Sequence, residues 1–281
     1  MGIKTMGNTN PLAKHFRQPA VYIKLPSQGK FWPEGSINIP PTGELPVYPM
    51  TVKDEIALKT PDALMNGAGV ADTIKSCIPD IVDPYACPTV DLDAILIAIR
   101  LASYGQTLDI TSNCPSCKAT NENAVELVNL LDRIRVSEYR DQNYDGLQFK
   151  FKPQTFSAMN TANLVAFEEQ KLLSVFGAEG LDEMQKNEQF KASFRRLTEL
   201  SVLTLVNSID SITTEDGVVV RNPEDIKEYL ENCERQTYDA LKTQIDQYSK
   251  ENKLQPLRIK CDSCENEYTS DITFDQSNFF G

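Results

Sequence analysis

Hydrophobic positions recur along the chain with two periods, and the switches between them mark out its elements. In "DLDAILIAIRLASYG" (91–105), Leu92, Ile95, Leu96 and Ile99 recur at three- and four-residue steps, the stripe of a helix. Ile97 and Leu101 widen that stripe, which predicts a central, largely buried helix stopping at Gly105. The same period runs from Ser157 to Phe176, ahead of Gly177, and from Leu181 to Ser208, where it carries Phe190, Phe194, Leu197 and Leu200. Shorter helices follow from end signals. Thr51 and Asp54 form a capping box for "VKDEIALK", Thr60-Pro61 opens "PDALMNG", and "GVADTIKSCI" continues from there. Asn222-Pro223-Glu224-Asp225 is an N-cap, a first-turn proline and an acidic first turn, and it opens a helical stretch to about Asn252, in two pieces around Cys233.

Alternation marks the strands. "GLQFKFKPQ" alternates through Leu147, Phe149 and Phe151, and "IDSITTEDGVVV" reads as a hairpin turning at Glu215-Asp216-Gly217. "QTLDITSNCPSC" and "PLRIKCDSC" each run as a strand into two cysteines, and "NEYTSDITFD" runs out of the second pair. "NENAVELVNLL" fits a returning strand or a helix; the strand is the better reading. Residues 18–50 are broken by Pro and Gly into short strand-like pieces at Val21–Leu25, Ser36–Ile39 and Leu45–Tyr48. Their aromatics, Tyr22, Phe31, Trp32 and Tyr48, make this an ordered segment rather than a linker, with Trp32, the single tryptophan, as a half-buried core residue.

The expected fold class is α+β, mainly helical, with a small antiparallel β-part. Four segments are expected: 1–50, a Pro/Gly-rich β and loop segment packed on the core; 51–152, a helical core leading into a first cysteine turn and strand; 153–254, a helical insertion with a β-hairpin; and 255–281, a second cysteine turn and strand. The composition, 41% hydrophobic and 24% charged over 281 residues, belongs to a globular chain. No run approaches the ~18 apolar residues of a membrane span, and "MGIKTMGNTNPLAKHF" has no apolar signal core, so a cytosolic product is expected. The net charge of −12, from 40 acidic and 28 basic residues, argues against general nucleic-acid binding, which rests on Lys and Arg meeting phosphates.

The candidate chemistry lies in the cysteines. Cys114-Pro115-Ser116-Cys117 and Cys261-Asp262-Ser263-Cys264 share their spacing and their flanks. Brought together, four thiolates suit a tetrahedral Zn²⁺ with no open position, a structural rather than a catalytic site. Residues 118–260, 143 in all, lie between the pairs, against ~15–20 in common ribbons. Closing that loop costs about 4 kcal/mol, less than the roughly 10–16 kcal/mol of a structural zinc in small peptides. The expectation is a split zinc ribbon, with zinc favoured over iron for an isolated non-redox thiolate set. A redox pair is the weaker alternative, since neither pair sits in a βαβ setting, and fortuitous buried thiols are the other.

Nothing else points to chemistry. Cys77, Cys87 and Cys233 read as small buried hydrophobes. The single histidine, His15, lies in a polar stretch without a nearby nucleophile, and Asp72, Asp91 and Asp93 read as helix-start residues. Phosphate-loop, dinucleotide-binding and H-E-x-x-H patterns are absent from the sequence, so no enzyme is expected.

The order of segments carries a resemblance. "IKLPSQGKFW", "PMTVKDEIALKTPDALMNG", "IKSCI", "DLDAILIAIRLASYG", "CPSC" and "CDSCENEYTSDITFDQSNFFG" follow one another as in the base plate protein family of T-even-like contractile-tailed bacteriophages, and in particular its baseplate hub assembly subunits. The likeness is strongest over 20–120 and 255–281. It implies a non-enzymatic tail or baseplate hub assembly protein, acting with the tape-measure and other hub proteins in the host cytoplasm or in the virion tail. It also supports Cys114, Cys117, Cys261 and Cys264 as metal ligands. Phe279 and Phe280 would either fold back or dock into a partner, and helices 157–176 and 181–208 would offer a groove to a tape-measure helix. The rival is a nucleic-acid-binding zinc-ribbon accessory factor, which Glu122, Asp262, Glu265 and Glu267 beside the cysteines disfavour.

Overall fold

The computed structural model describes residues 12, 15–60, 67–176 and 183–271. The helix expected over "PDALMNG" and the aromatics Phe279 and Phe280 lie outside these residues. Chain order runs β1 (Val21–Ile23), β2 (Leu45–Val47), α1 (Val52–Leu58), α2 (Ala68–Cys77), α3 (Thr89–Tyr104), β3 (Thr107–Asn113), β4 (Thr120–Glu126) and α4 (Leu127–Leu131). It continues with β5 (Gln142–Tyr144), β6 (Leu147–Phe151), α5 (Phe156–Phe176), α6 (Glu183–Ser208), β7 (Ile209–Thr213) and β8 (Val219–Val220). It closes with α7 (Pro223–Asn232), α8 (Arg235–Glu251), β9 (Leu257–Lys260) and β10 (Glu267–Ser270).

All pairing among the described strands is antiparallel, in three two-stranded pieces and one four-stranded sheet of order β5-β6-β7-β8. The α+β mix is as expected, but "mainly helical" is not: helices take 46% of the described residues. One further expectation gives way and another holds only in part. Ser36–Ile39 is no strand but a single bridge, Ile37 to Ile81, because Pro33, Pro40 and Pro41 around it lack the N–H a ladder needs. Residues 120–131 are strand and then helix: the ladder with β3 ends at Glu126, after which Leu127 and Leu130, three apart, both enter the core.

Two apolar clusters result. The first surrounds α3, whose Ile95, Ile97 and Ile99 are wholly buried, as its wide stripe requires. The second joins Phe149 and Phe151 of β6 to Ile209 and Ile212 of β7 and to Ile226 and Leu241 of the last two long helices.

Polar anchors join distant segments to the first cluster. Asp91 sits in the first turn of α3, but its carboxylate is fully buried and accepts from Ser27 N–H (2.8 Å), from the Ser27 hydroxyl and from Trp32 Nε1–H (2.8 Å). It thereby fastens the "LPSQGKFW" loop to the central helix, a role beyond that of a helix-start residue. Burial raises its pKa, against those donors. Arg17 donates to Pro49 O, Ser76 O and Ser76 Oγ and pairs with Asp54 at 3.4 Å, which ties the N-terminal stretch to α1 and α2. Asp54 meanwhile completes the capping box with Thr51. Asp72 departs from expectation and lies mid-helix in α2, exposed.

Candidate metal centre

Each cysteine pair occupies the turn of a two-stranded hairpin. β3 and β4 pair from Thr107↔Glu126 to Asn113↔Thr120, which leaves Cys114–Ala119 as the turn. β9 and β10 pair from Leu257↔Ser270 to Lys260↔Glu267, with Cys261–Asn266 between them. The same turn is built twice. Cys114 N–H donates to Ala119 O (2.9 Å) and Lys118 N–H to Cys114 O (3.0 Å); Cys261 N–H donates to Asn266 O (2.9 Å) and Glu265 N–H to Cys261 O (2.9 Å). One residue past each second cysteine the chain goes left-handed, with φ 63° at Lys118 and 58° at Glu265. Such a conformation costs a non-glycine residue about 1–2 kcal/mol. It recurs at both equivalent places, two residues before the return strand begins at Thr120 and at Glu267.

The two turns meet. Cys114 Sγ lies 3.7 Å from Cys264 Sγ, and Cys117 Sγ lies 3.6 Å from Cys261 Sγ. All four sulfurs fall within 4.8 Å of one another. A disulfide needs about 2.05 Å, so these are not bonded pairs. Four ligands about 2.3 Å from a central ion at tetrahedral angles stand about 3.8 Å apart along each edge. The two separations between the turns, 3.6 and 3.7 Å, match that edge, and a soft four-sulfur donor set suits Zn²⁺.

The local field favours thiolate at Cys114 and Cys261 and opposes it at Cys264. The N–H groups of Cys117 and Ser116 face Cys114 Sγ and lower its pKa against burial. Burial raises that of Cys261, but the N–H groups of Cys264 and Ser263 and the neighbouring thiols pull it down to about 6. Cys264 has a helping N–H from Asn266, yet the thiols of Cys117, Cys114 and Cys261 push it up to about 12. Four sulfurs this close cannot all ionise without a cation among them. Cys114 and Cys261 are buried while Cys117 and Cys264 reach solvent, so the centre lies at the surface with an open approach.

The other cysteines stand apart from it. Burial pushes the Cys77 thiol up to about 12 and holds Cys87 well above its ordinary value. Burial raises the partly buried Cys233 as well. Thiols so shifted are poor nucleophiles. His15 is exposed. A cavity of about 330 Å³ lies between α3 and the second cluster, lined among others by Asp93, Tyr139, Lys152, Tyr248 and Lys253, with no cysteine or histidine in its wall. Burial raises Asp93 there to about 6, against the attraction of Lys253. Sequence reasoning missed this role for Asp93, because the residues facing it come from 139–253.

No helix among the described residues is long and apolar enough to cross a membrane. No curated protein and no solved structure matches the chain. The model of one family, described as T4 bacteriophage base plate protein, matches residues 20–281. That match spans both cysteine turns, both apolar clusters and the loop held by Asp91, and the chain belongs to the T4 bacteriophage base plate protein family.

Proposed function

We propose that this base plate family member is a non-enzymatic hub assembly protein, acting with the tape-measure and other hub proteins of the tail in the host cytoplasm, and that Cys114, Cys117, Cys261 and Cys264 hold a structural Zn²⁺. The metal half rests on one observation, two sulfur–sulfur edges of 3.6 and 3.7 Å between segments far apart in sequence. Four protein ligands leave no position for substrate, so the ion's work is to join those segments.

The assembly half is supported by the family match and by apolar surface on the α5–α6 pair. Phe167 of α5 and Phe190, Phe194 and Leu203 of α6 are all largely exposed, at 50%, 58%, 66% and 42%. Phe190 and Phe194 stand four apart and present two rings on one helical face. A helical segment of the tape-measure protein is the proposed occupant. The nucleic-acid reading gains no support at the cysteine turns, where Lys260 is engaged with Glu265 at 3.1 Å. The four-segment division, with 153–254 as an insertion between the ribbon halves, is part of the same proposal.

The test is co-purification of tagged protein from infected cells, with mass spectrometry of its partners and a metal assay on the same sample. Tail hub or tape-measure proteins and one zinc per chain are expected, with partner recovery falling at least tenfold for a Phe190→Ser, Phe194→Ser double variant. Recovery without any tail protein would end the assembly reading, and a metal-free sample would end the zinc reading.

A further inference from the structure

The two hairpins meet in more than sulfur. Asn121, on β4 beside the first cysteine turn, is buried. Its Oδ1 accepts from the N–H of Asp262 at 2.9 Å. Its Nδ2 donates to Ala119 O at 3.1 Å and to the Tyr268 hydroxyl at 3.1 Å. That hydroxyl in turn lies 2.7 Å from Ser112 Oγ, back on β3. The Tyr268 oxygen accepts from Asn121, and either hydroxyl can donate in its bond with Ser112, so Asn121, Tyr268 and Ser112 form one hydrogen-bonded chain across the two hairpins.

Each part of the amide thus has a separate task. One donor braces its own turn at Ala119, the other reaches β10, and the acceptor holds the second cysteine turn itself. Asp262 lies between Cys261 and Cys264, so the peptide fixed by Asn121 belongs to the loop whose next two N–H groups face Cys261 Sγ. Orienting that peptide orients those donors and sets where Cys264 Sγ points. Apolar contact supplies the platform: Leu257 and Ile259 of β9 are buried in the first cluster with Leu108 and Leu127, and Tyr268 packs against it.

We infer that Asn121 is the positioning residue of the metal centre: it docks the second C-x-x-C turn onto the first, so that the four thiols are in register before the ion enters. This rests on the reading of the four cysteines as metal ligands. The ribbon then differs from a small zinc finger, in which the ion itself drives folding. Here hydrogen bonds and packing join the hairpins, and the ion closes a site already formed.

The experiment compares the full-length wild type with Asn121→Ala and Tyr268→Phe. It measures zinc affinity by chelator competition and ligand geometry by the d–d bands of the Co²⁺-substituted proteins. Loss of a group that orients metal ligands costs roughly 10–100-fold in affinity. Asn121→Ala is expected to fall in that range and to shift the Co²⁺ bands with all four cysteines present. Tyr268→Phe keeps the ring and loses only the hydroxyl, so a smaller loss, under about tenfold on the same scale, is expected. It carries the test should Asn121→Ala fail to fold. Wild-type affinity and an unshifted spectrum in the folded variants would overturn the inference while leaving the metal site standing. A wild type that takes up neither Zn²⁺ nor Co²⁺ would overturn the metal reading, and this inference with it.

Discussion

Two of the junctions between distant stretches of this chain work by different physics. β6 meets β7 across the α5–α6 pair, through a ladder with a register shift at Lys150/Phe151 and through wholly or nearly wholly buried Phe149, Phe151, Ile209 and Ile212. The β3–β4 hairpin meets β9–β10 through sulfur, one buried amide and two hydroxyl groups, with apolar contact underneath. An apolar junction holds wherever water is the solvent. If the proposed ion holds the four sulfurs as thiolates, this junction should respond to a chelator and the apolar one should not.

The largest expected effect breaks the apolar junction. Phe149→Ala removes a wholly buried ring from the second cluster, a change that costs about 3–5 kcal/mol in well-packed cores. Urea unfolding should show that loss equally with and without a chelator. A loss that depended on metal would mean the two junctions are not separable.

The next effect unmakes the thiolate junction. Free zinc at a hundredfold excess over its dissociation constant stabilises the folded state by about 2.7 kcal/mol. Chelation should remove that much from the wild type and nothing further from Cys261→Ser, whose midpoint should match the chelated wild type. Hydrogen exchange should quicken at the cysteine turns while the hairpins stay docked through Asn121. A chelator-sensitive Cys261→Ser would mean that these thiols do not share one ion.

The two junctions were also unequally legible in the sequence. The meeting of the two cysteine pairs could be read because a C-x-x-C turn with strand flanks is specific and appears twice, so each half names the other. The β6–β7 pairing could not. Alternation at Leu147, Phe149 and Phe151 shows that β6 is a strand, but period two says nothing about its partner, and the Gly217 turn pointed β7 only toward β8. The amide clasp was hidden for a related reason. In "TNENAVE" an asparagine among polar residues reads as surface, and only the approach of Asp262 and Tyr268, 141 and 147 positions away, buries it. Asp91 is the same case: its carboxylate has a task only because Ser27 and Trp32 arrive from 64 and 59 positions off. At 121–131 the strand was preferred over the helix because Leu127 and Leu130 give one helical step, too short a pattern to outweigh the strand before it, and the chain is strand to Glu126 and helix after it.

The smallest expected effect lies between the junctions, in the cavity where α3 faces the second cluster. Asp93 there has a folded pKa of about 6 against 3.8 for an ordinary aspartate, because burial disfavours its charge more than Lys253 favours it. The folded state therefore holds this proton more tightly than the unfolded state does. Below about pH 4 the carboxyl is protonated in both states and costs nothing. Between about pH 4 and 6 the unfolded chain ionises first, and stability falls as the pH rises. Above pH 6 the full penalty stays, about two pKa units at roughly 1.4 kcal/mol each, reduced to about 2 kcal/mol because the side chain keeps some contact with solvent. Asn is nearly isosteric and uncharged, so Asp93→Asn should raise stability by about that amount at pH 7.5 and leave it unchanged at pH 3.5, as read from urea midpoints at the two values. The gain should survive chelation, since no thiol lines the cavity. An equal gain at both pH values would assign the effect to packing rather than charge, and a loss at pH 7.5 would show that the Lys253 attraction outweighs burial.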